Sequence, residues 1–384
     1  MKISKKNKTI IFTFFIAIIS GIFDFIYFYK VSDNYYLADI APHVDAAKSI
    51  LELKPIVLQT KRVSTVAYPL FHVLTAVLSI FLHISFRVSA AVVLAIHKIL
   101  LFIVCIYIER DLNFESKIKK VGEAWKLLGL LGMTYIASIP LTGKLYLPQG
   151  SPNVWHNPTY IVMQPYALLL FYFTYKCLTN IKDVKKDYLL FSLMSVVSCV
   201  AKPSYTVIII PVIFIYCLYT LLNNNTTNIK KYFWITVSLF PTIGVLVFQY
   251  YVTFSSSVST GIKFGTFLNL NLIGIILATL AIITLPLVYC VTGNMKFCNP
   301  QLILLAVSSF LVGWLQYFFL YEKGNADGNF AWGYFMSIFV MYFCLFVDYI
   351  QNPKKLRIFE VLFLTQVLVG LTYFARLLTM HLYI

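Results

Sequence analysis

Runs of about 20 predominantly apolar residues recur along this chain, and each is long enough to cross a bilayer as a helix. That recurrence leaves little room for any other architecture. Of 384 residues, 60% are apolar and only 12% charged. Soluble domains carry about 25% charged residues and a smaller apolar share. A soluble enzyme, a disordered chain and a basic-faced nucleic-acid reader are therefore excluded. The net charge of +16 does not reverse this, because most of the basic residues sit in short loops between apolar runs. There they act as topology signals, since cytoplasmic loops are enriched in Lys and Arg.

The runs cover 9–29, 88–108, 127–143, 160–178, 188–201, 204–222, 232–252, 270–292, 301–321, 331–350 and 358–377. The first is too long and bulky for a signal peptide, and Lys2, Lys5, Lys6 and Lys8 precede it, so an uncleaved span with a cytoplasmic N-terminus is expected. A further apolar stretch at 68–83 is short and carries Pro69 near its start. If it crossed, every basic loop except the N-terminus would lie outside. If it lies along or dips into the surface, all of them lie inside. The second arrangement is expected. It predicts an all-α, polytopic transmembrane protein of about 11 spans. Residues 1–384 form a single integral membrane domain, with a long first extracytoplasmic loop over about 30–87 that carries surface-lying helices. No Cys/His spacing suggests zinc, and the seven cysteines show no disulfide framework.

Polar groups that could do chemistry gather in the expected outer loops. Asp39 precedes an amphipathic stretch at 42–51, with His43 and Asp45 close behind, in a chain of only 15 acids. A carboxylate at the bilayer rim can take a proton from a hydroxyl or hold a divalent cation against a phosphate. Its plainer role would be to cap the helix that follows. Asp33 and Asp45 are weaker candidates. The loop at 144–159 holds Lys144, Trp155, His156 and Asn157, types that stack on and hydrogen-bond a sugar, although an interfacial Trp beside a turn is the simpler reading. Lys202, between two apolar runs, is costly to bury and is a candidate for a lipid-linked phosphate; snorkelling to the headgroups is the alternative. The loop at 322–334 offers Glu322, Asp327 and Asn329, and Arg376 closes the last span. Asp24, His97 and Lys98 are ionisable groups inside spans, either functional or paired between helices.

A first span, an acid near the start of a long outer loop, and the segment Tyr68-Pro69-Leu70-Phe71-His72 that does not cross resemble the GT-C superfamily of polytopic glycosyltransferases. Asn157-Pro158-Thr159, Ala201-Lys202-Pro203-Ser204 and Gly328-Asn329-Phe330-Ala331-Trp332-Gly333-Tyr334 are similar to members encoded in bacterial surface-polysaccharide clusters. The resemblance implies a multi-pass enzyme of the bacterial cytoplasmic membrane that moves a sugar from a polyprenyl-phosphate donor to a glycan or lipid-linked acceptor. Asp39 would then be the catalytic base, assisted by His43. Lys202 with Lys144 or Arg376 would stabilise the departing lipid phosphate, and Trp155, His156, Asn157, Glu322, Asp327 and Asn329 would bind substrate. The loop at 144–159 lacks the second acid that many members carry there. No metal ligand set is therefore assigned, and a divalent cation, Mg or Mn, stands only as a candidate cofactor. Membrane lipids are expected partners and nucleic acid is not.

Two other readings use the same residues. A repeat-unit polymerase acting on undecaprenyl-pyrophosphate-linked glycans would call for outer loops rich in Arg, which are absent. A transporter or flippase of lipid-linked sugar would call for internal repeats, and none is seen.

Overall fold

The structure, a computed structural model, describes residues 5–33, 38–52, 56–58, 61–63, 66–112, 122–136, 155–179, 184–223, 229–254, 261–265, 272–292, 296–323, 329–351 and 357–379. The helices are α1 (Lys5–Val31), α2 (Ile40–Leu51), α3 (Leu70–Leu82), α4 (Phe86–Leu112), α5 (Glu123–Met133), α6 (Pro158–Thr179), α7 (Lys185–Ala201), α8 (Thr206–Leu222), α9 (Ile229–Phe254), α10 (Leu272–Thr292), α11 (Pro300–Phe319), α12 (Asn329–Gln351) and α13 (Arg357–Leu378). Two antiparallel ribbons complete the described residues: β1 (Ile56–Leu58) with β2 (Lys61–Val63), and β3 (Gly261–Phe264) with β4 (Leu320–Lys323).

Contacts at the helix ends show how the chain is threaded. At one end, Arg87 at the start of α4 pairs with Asp33 just past α1, at 2.5 Å, and donates to the Tyr29 carbonyl at 2.7 Å. Lys30 near the end of α1 reaches the Leu378 carbonyl at the end of α13, at 3.1 Å. At the other end, Lys176 late in α6 meets Asp111 late in α4 at 3.7 Å, and Lys231 early in α9 donates to the Leu178 carbonyl at 2.8 Å. There too Asp348, late in α12, accepts from the Tyr289 hydroxyl of α10 at 2.5 Å and from the Cys298 backbone N–H ahead of α11 at 2.7 Å. The ends of α1, α4, α6, α9, α10, α11, α12 and α13 are thereby sorted to two sides of the bundle, whereas α5, with 11 residues, ends beside groups inside α1 and α4. Among the described residues, seven helices are long and apolar enough to cross a membrane.

Helix α3 is not one of the passes. Its start is tied to α2, where His72 meets His43 at 2.8 Å, and its end leads within a few residues to Arg87. Asp33 and Asp39 are separated by too little chain to span a bilayer core of about 30 Å. Both ends of α3 thus lie at the Asp39 end, as the loop charges predict. Its outward face is apolar, with Val77 55% and Phe81 81% exposed, as suits a helix laid against lipid.

The apolar runs are oriented by their partners. Helices α1, α9 and α13 expose many large apolar side chains, the pattern of a bundle whose solvent is lipid. Helix α12 is the opposite, buried from Ala331 to Gln351. Close approach is made where glycine allows it: a methyl group on Gly129 of α5 would collide with the Phe346 ring of α12.

Of the ionisable groups inside the first two passes, Asp24 and Lys98 meet through Tyr135, whereas His97 is bonded to the Val93 carbonyl at 2.7 Å and lies 3.3 Å from the Tyr166 hydroxyl. Lys98 donates to the Thr134 carbonyl at 2.6 Å and sits 3.8 Å from the centre of the Tyr135 ring. The Tyr135 hydroxyl lies 2.7 Å from Ser20 and donates to Asp24 at 3.4 Å. This is paired polar packing that joins α1, α4 and the end of α5.

Candidate functional site

The polar residues singled out by the sequence converge at the end where α2 and α3 lie. Asp39 occupies the N-cap position of α2, yet its side chain makes no capping bond. Its backbone N–H donates to the His156 carbonyl at 2.9 Å. Its carboxylate takes Asn157 Nδ2 at 3.3 Å on one oxygen and faces His156 Nε2 at 3.4 Å on the other. The segment 155–157 ahead of α6 is therefore pinned to the head of α2 through both backbone and side chain.

Local chemistry explains each placement. Pro158 opens α6, where its missing N–H is harmless, and Asn157 caps that helix by accepting the Tyr160 backbone N–H at 3.1 Å. Lys202 ends α7 in an extended conformation, φ −170° and ψ 126°, to which Pro203 steers the residue before it. That bend turns the ammonium toward α6, where Nζ donates to Thr159 Oγ1 at 3.2 Å. Lys202 is 1% exposed and lies 4.6 Å from the Tyr68 ring centre and 5.8 Å from that of Trp332. A guanidinium or ammonium among aromatic faces is held by their negative quadrupoles. Trp332, at the start of α12, also stacks parallel to His156, with an interplanar angle of 8°.

Asp39 is half-buried, whereas His43, His72 and Lys202 are buried. Burial alone would raise the Asp39 carboxyl. The hydrogen bonds from His156 and Asn157 and the charges of His156 and His43 outweigh it and bring the group down to about 2. His43 and His72 respond in the other sense. Burial lowers His43 to about 4, with Lys202 adding repulsion and Asp39 opposing it, and burial with the neighbouring His43 pushes His72 well below the ordinary range. At neutral pH the site holds an ionised carboxylate, a buried lysine and a pair of neutral imidazoles.

The remaining residues proposed from the sequence are dispersed. Trp155 is 2% exposed and packs among Tyr135, Tyr373 and Phe374, forming the wall behind His156. Asn329 donates to Glu322 at 2.8 Å, a bond that closes the link from β4 to α12. Arg376 lies on an exposed face of α13. Lys144 and Asp327 lie outside the described residues. Sequence reasoning passed over Thr159, Tyr68, His72 and Trp332 as site members. The only signal they gave was membership of short polar or aromatic stretches that fold toward the same end.

Among the described residues no group of three or more His, Cys, Asp or Glu side chains could hold a metal ion, and the oxygens of Asp39 are engaged by His156 and Asn157.

No protein-family model and no curated protein matches the sequence. Among solved structures, ArnT from Cupriavidus metallidurans bound to undecaprenyl phosphate is similar to this chain, with a TM-score of 0.49 and 10% identity. The similarity covers 88% of this chain, which spans 59% of the ArnT chain.

What the geometry can do follows from charge and reach. A fixed carboxylate and a fixed ammonium lie at the same end of the bundle, joined through Asn157 and Thr159. The carboxylate can accept a proton from a hydroxyl, and the ammonium can stabilise an anion in surroundings where charge is poorly screened. His156, 29% exposed on its side chain, is the most open of the rings around Asp39.

Proposed function

We propose that the chain is a GT-C-type membrane glycosyltransferase. It moves a sugar from a polyprenyl-phosphate donor to a lipid-linked or cell-surface glycan acceptor at the outer face of a bacterial cytoplasmic membrane, with its N-terminus inside. The observation that carries this reading is the convergence of Asp39 and Lys202, linked through Asn157 and Thr159, at one end of a lipid-facing bundle, beside a helix that lies along the surface.

In this reading Asp39 receives the proton of the acceptor hydroxyl as it attacks the anomeric carbon. The bond from that carbon to the phosphate oxygen breaks, and the lipid phosphate leaves as an anion stabilised by Lys202. A carboxylate held near 2 is a weak base but is ionised at every physiological pH. Glycosyl transfer through an oxocarbenium-like transition state asks little more of it. His156 and Asn157 hold the carboxylate in place, and the apolar face of α3 offers a bed for the prenyl chain.

The test is transfer of labelled sugar from polyprenyl-phosphate donors to lipid-linked acceptors in membranes carrying wild type, Asp39→Asn or Lys202→Met. Both variants are expected to lower transfer by at least about 100-fold with expression unchanged. Full activity of Asp39→Asn would overturn the role of the base. Transfer only from pyrophosphate-linked glycans would make the protein a polymerase instead.

A further inference from the structure

The hydrogen bonds between Lys202 and Asp39 have a forced direction. The Tyr160 backbone N–H, which can only donate, lies 3.1 Å from one end of the Asn157 amide, so that end is the carbonyl oxygen. Thr159 Oγ1 lies 2.6 Å from the same oxygen, so the hydroxyl spends its single proton there. Its lone pairs then face Lys202 Nζ, at 3.2 Å. The other end of the amide must be the NH2 group, and it donates to Asp39 Oδ2 at 3.3 Å. Ammonium to hydroxyl, hydroxyl to amide and amide to carboxylate all point the same way.

We propose that Thr159 and Asn157 form a one-way relay that couples the charge of Lys202 to the basicity of Asp39, with Thr159 as a positioning residue. The inference rests on the reading above, in which Asp39 takes the acceptor proton and Lys202 meets the donor phosphate. Bonds in a chain polarise one another, so the ammonium strengthens each following bond and steadies the carboxylate anion at the far end. A phosphate that draws the ammonium toward itself weakens the first bond. The polarisation relaxes, and Asp39 becomes a stronger base once the donor is in place. Linkage makes the effect reciprocal, so the protonation state of Asp39 feeds back on the affinity for the anion.

The relay differs from the other influences on Asp39. His156 faces the carboxylate from the segment before α6, and His43 acts on it by charge from α2, itself bonded to His72 on α3. Neither route passes through the Thr159 hydroxyl. Removing that hydroxyl therefore isolates the coupling.

The experiment uses the full-length protein in lipid nanodiscs, with a polyprenyl-phosphate-linked sugar as donor. It measures kcat and the donor KM across pH for wild type, Thr159→Val and Thr159→Ser. Thr159→Val keeps the shape and loses the bonds. It is expected to lower kcat about tenfold, because Asn157 loses the hydroxyl that holds it, to leave the donor KM within about twofold and to move the acid limb of kcat/KM, which reports the donor-free enzyme, to higher pH. Thr159→Ser is expected to restore all three. Asn157→Asp, which keeps an acceptor for Tyr160 but cannot donate to Asp39, is expected to move the acid limb further in the same direction. Wild-type kcat and an unmoved acid limb in Thr159→Val would overturn the relay, as would failure of Thr159→Ser to rescue. Asp39→Asn and Lys202→Met in the same assay separate the two ideas. If they abolish transfer while Thr159→Val is silent, the relay fails alone. If they retain transfer, the functional reading fails first.

Discussion

Gly333 of α12 lies so close to the turn after Lys202 that a methyl group on it would stand 2.4 Å from the Ser204 carbonyl oxygen. The contact is backbone against side chain, so no rotamer change relieves it. Trp332 and Lys202 flank this contact in sequence, and both belong to the site. Gly333→Ala must push the turn and α12 apart. Overpacking of this kind costs about 1–3 kcal/mol. The expected outcome is a lower melting temperature in detergent together with a loss of transfer greater than the loss of folded protein. Thermal unfolding of the purified variant beside its specific activity checks both.

The His156 ring governs the protonation of Asp39. Burial pushes the carboxyl up, and the hydrogen bond and charge of His156 are the largest opposing influences. Without them the carboxyl is expected to rise from about 2, although Asn157 and His43 still favour the anion. His156→Phe, which retains a ring to stack on Trp332, is expected to shift the acid limb of transfer upward. A pH–rate profile for the variant that overlays the wild type would show that Asp39 does not control the limb.

Acid stability should fall in two windows of like sign. His43 is depressed to about 4 in the folded protein, so the unfolded chain binds more protons from its ordinary 6.5 down to that value. Stability is therefore lost as pH falls from about 6.5 to about 4. The Asp39 contribution, present above about 4, is lost only as pH falls toward 2. Hydrogen exchange of α2 and α3 is expected to accelerate in the first window while the passes stay protected. His43→Phe combined with His72→Phe should flatten that window, since no imidazole remains there to be charged.

Lys98 and Asp24 provide a double-mutant test inside the membrane. Both contact Tyr135, and both are buried. Lys98→Met removes the cation over the Tyr135 ring and the donor to the Thr134 carbonyl while leaving the acid, and is expected to destabilise the fold. Adding Asp24→Asn should recover much of that loss. Unfolding in mixed micelles of both single variants and the double variant gives the coupling energy, and strict additivity would show that the two groups do not sense each other.

What the sequence revealed, and what it hid, follows from how far apart the interacting residues are. Asp39 stood out because acids are rare in this chain, and Lys202 because Lys-Pro interrupts an apolar stretch. The non-crossing segment at 68–83 was legible from loop charge, since parity is a property of the whole chain. The partnership of Asp39 with His156 was not, because it joins residues on opposite sides of α3, α4 and α5 in sequence. Thr159 was hidden for another reason: a threonine at the start of a helix is unremarkable until Lys202, arriving from a later helix, meets it. Trp155 resembled a sugar platform by type, and its burial among Tyr135, Tyr373 and Phe374 depends on the last helix of the bundle.

Helix α12, buried along its length, also sets a clock on biosynthesis. It brings Trp332 against Lys202 and His156, whereas Asp39 stands at the head of α2, ten helices earlier. The ring that closes over the lysine arrives only after α2 through α11 have been made. Any nascent protein stalled before that point would present an acid and an ammonium without the wall that confines them. The order of elements thus delays closure of this end of the bundle until α12 is made, and a membrane accumulating chains truncated before it would gain helices without gaining the closed site.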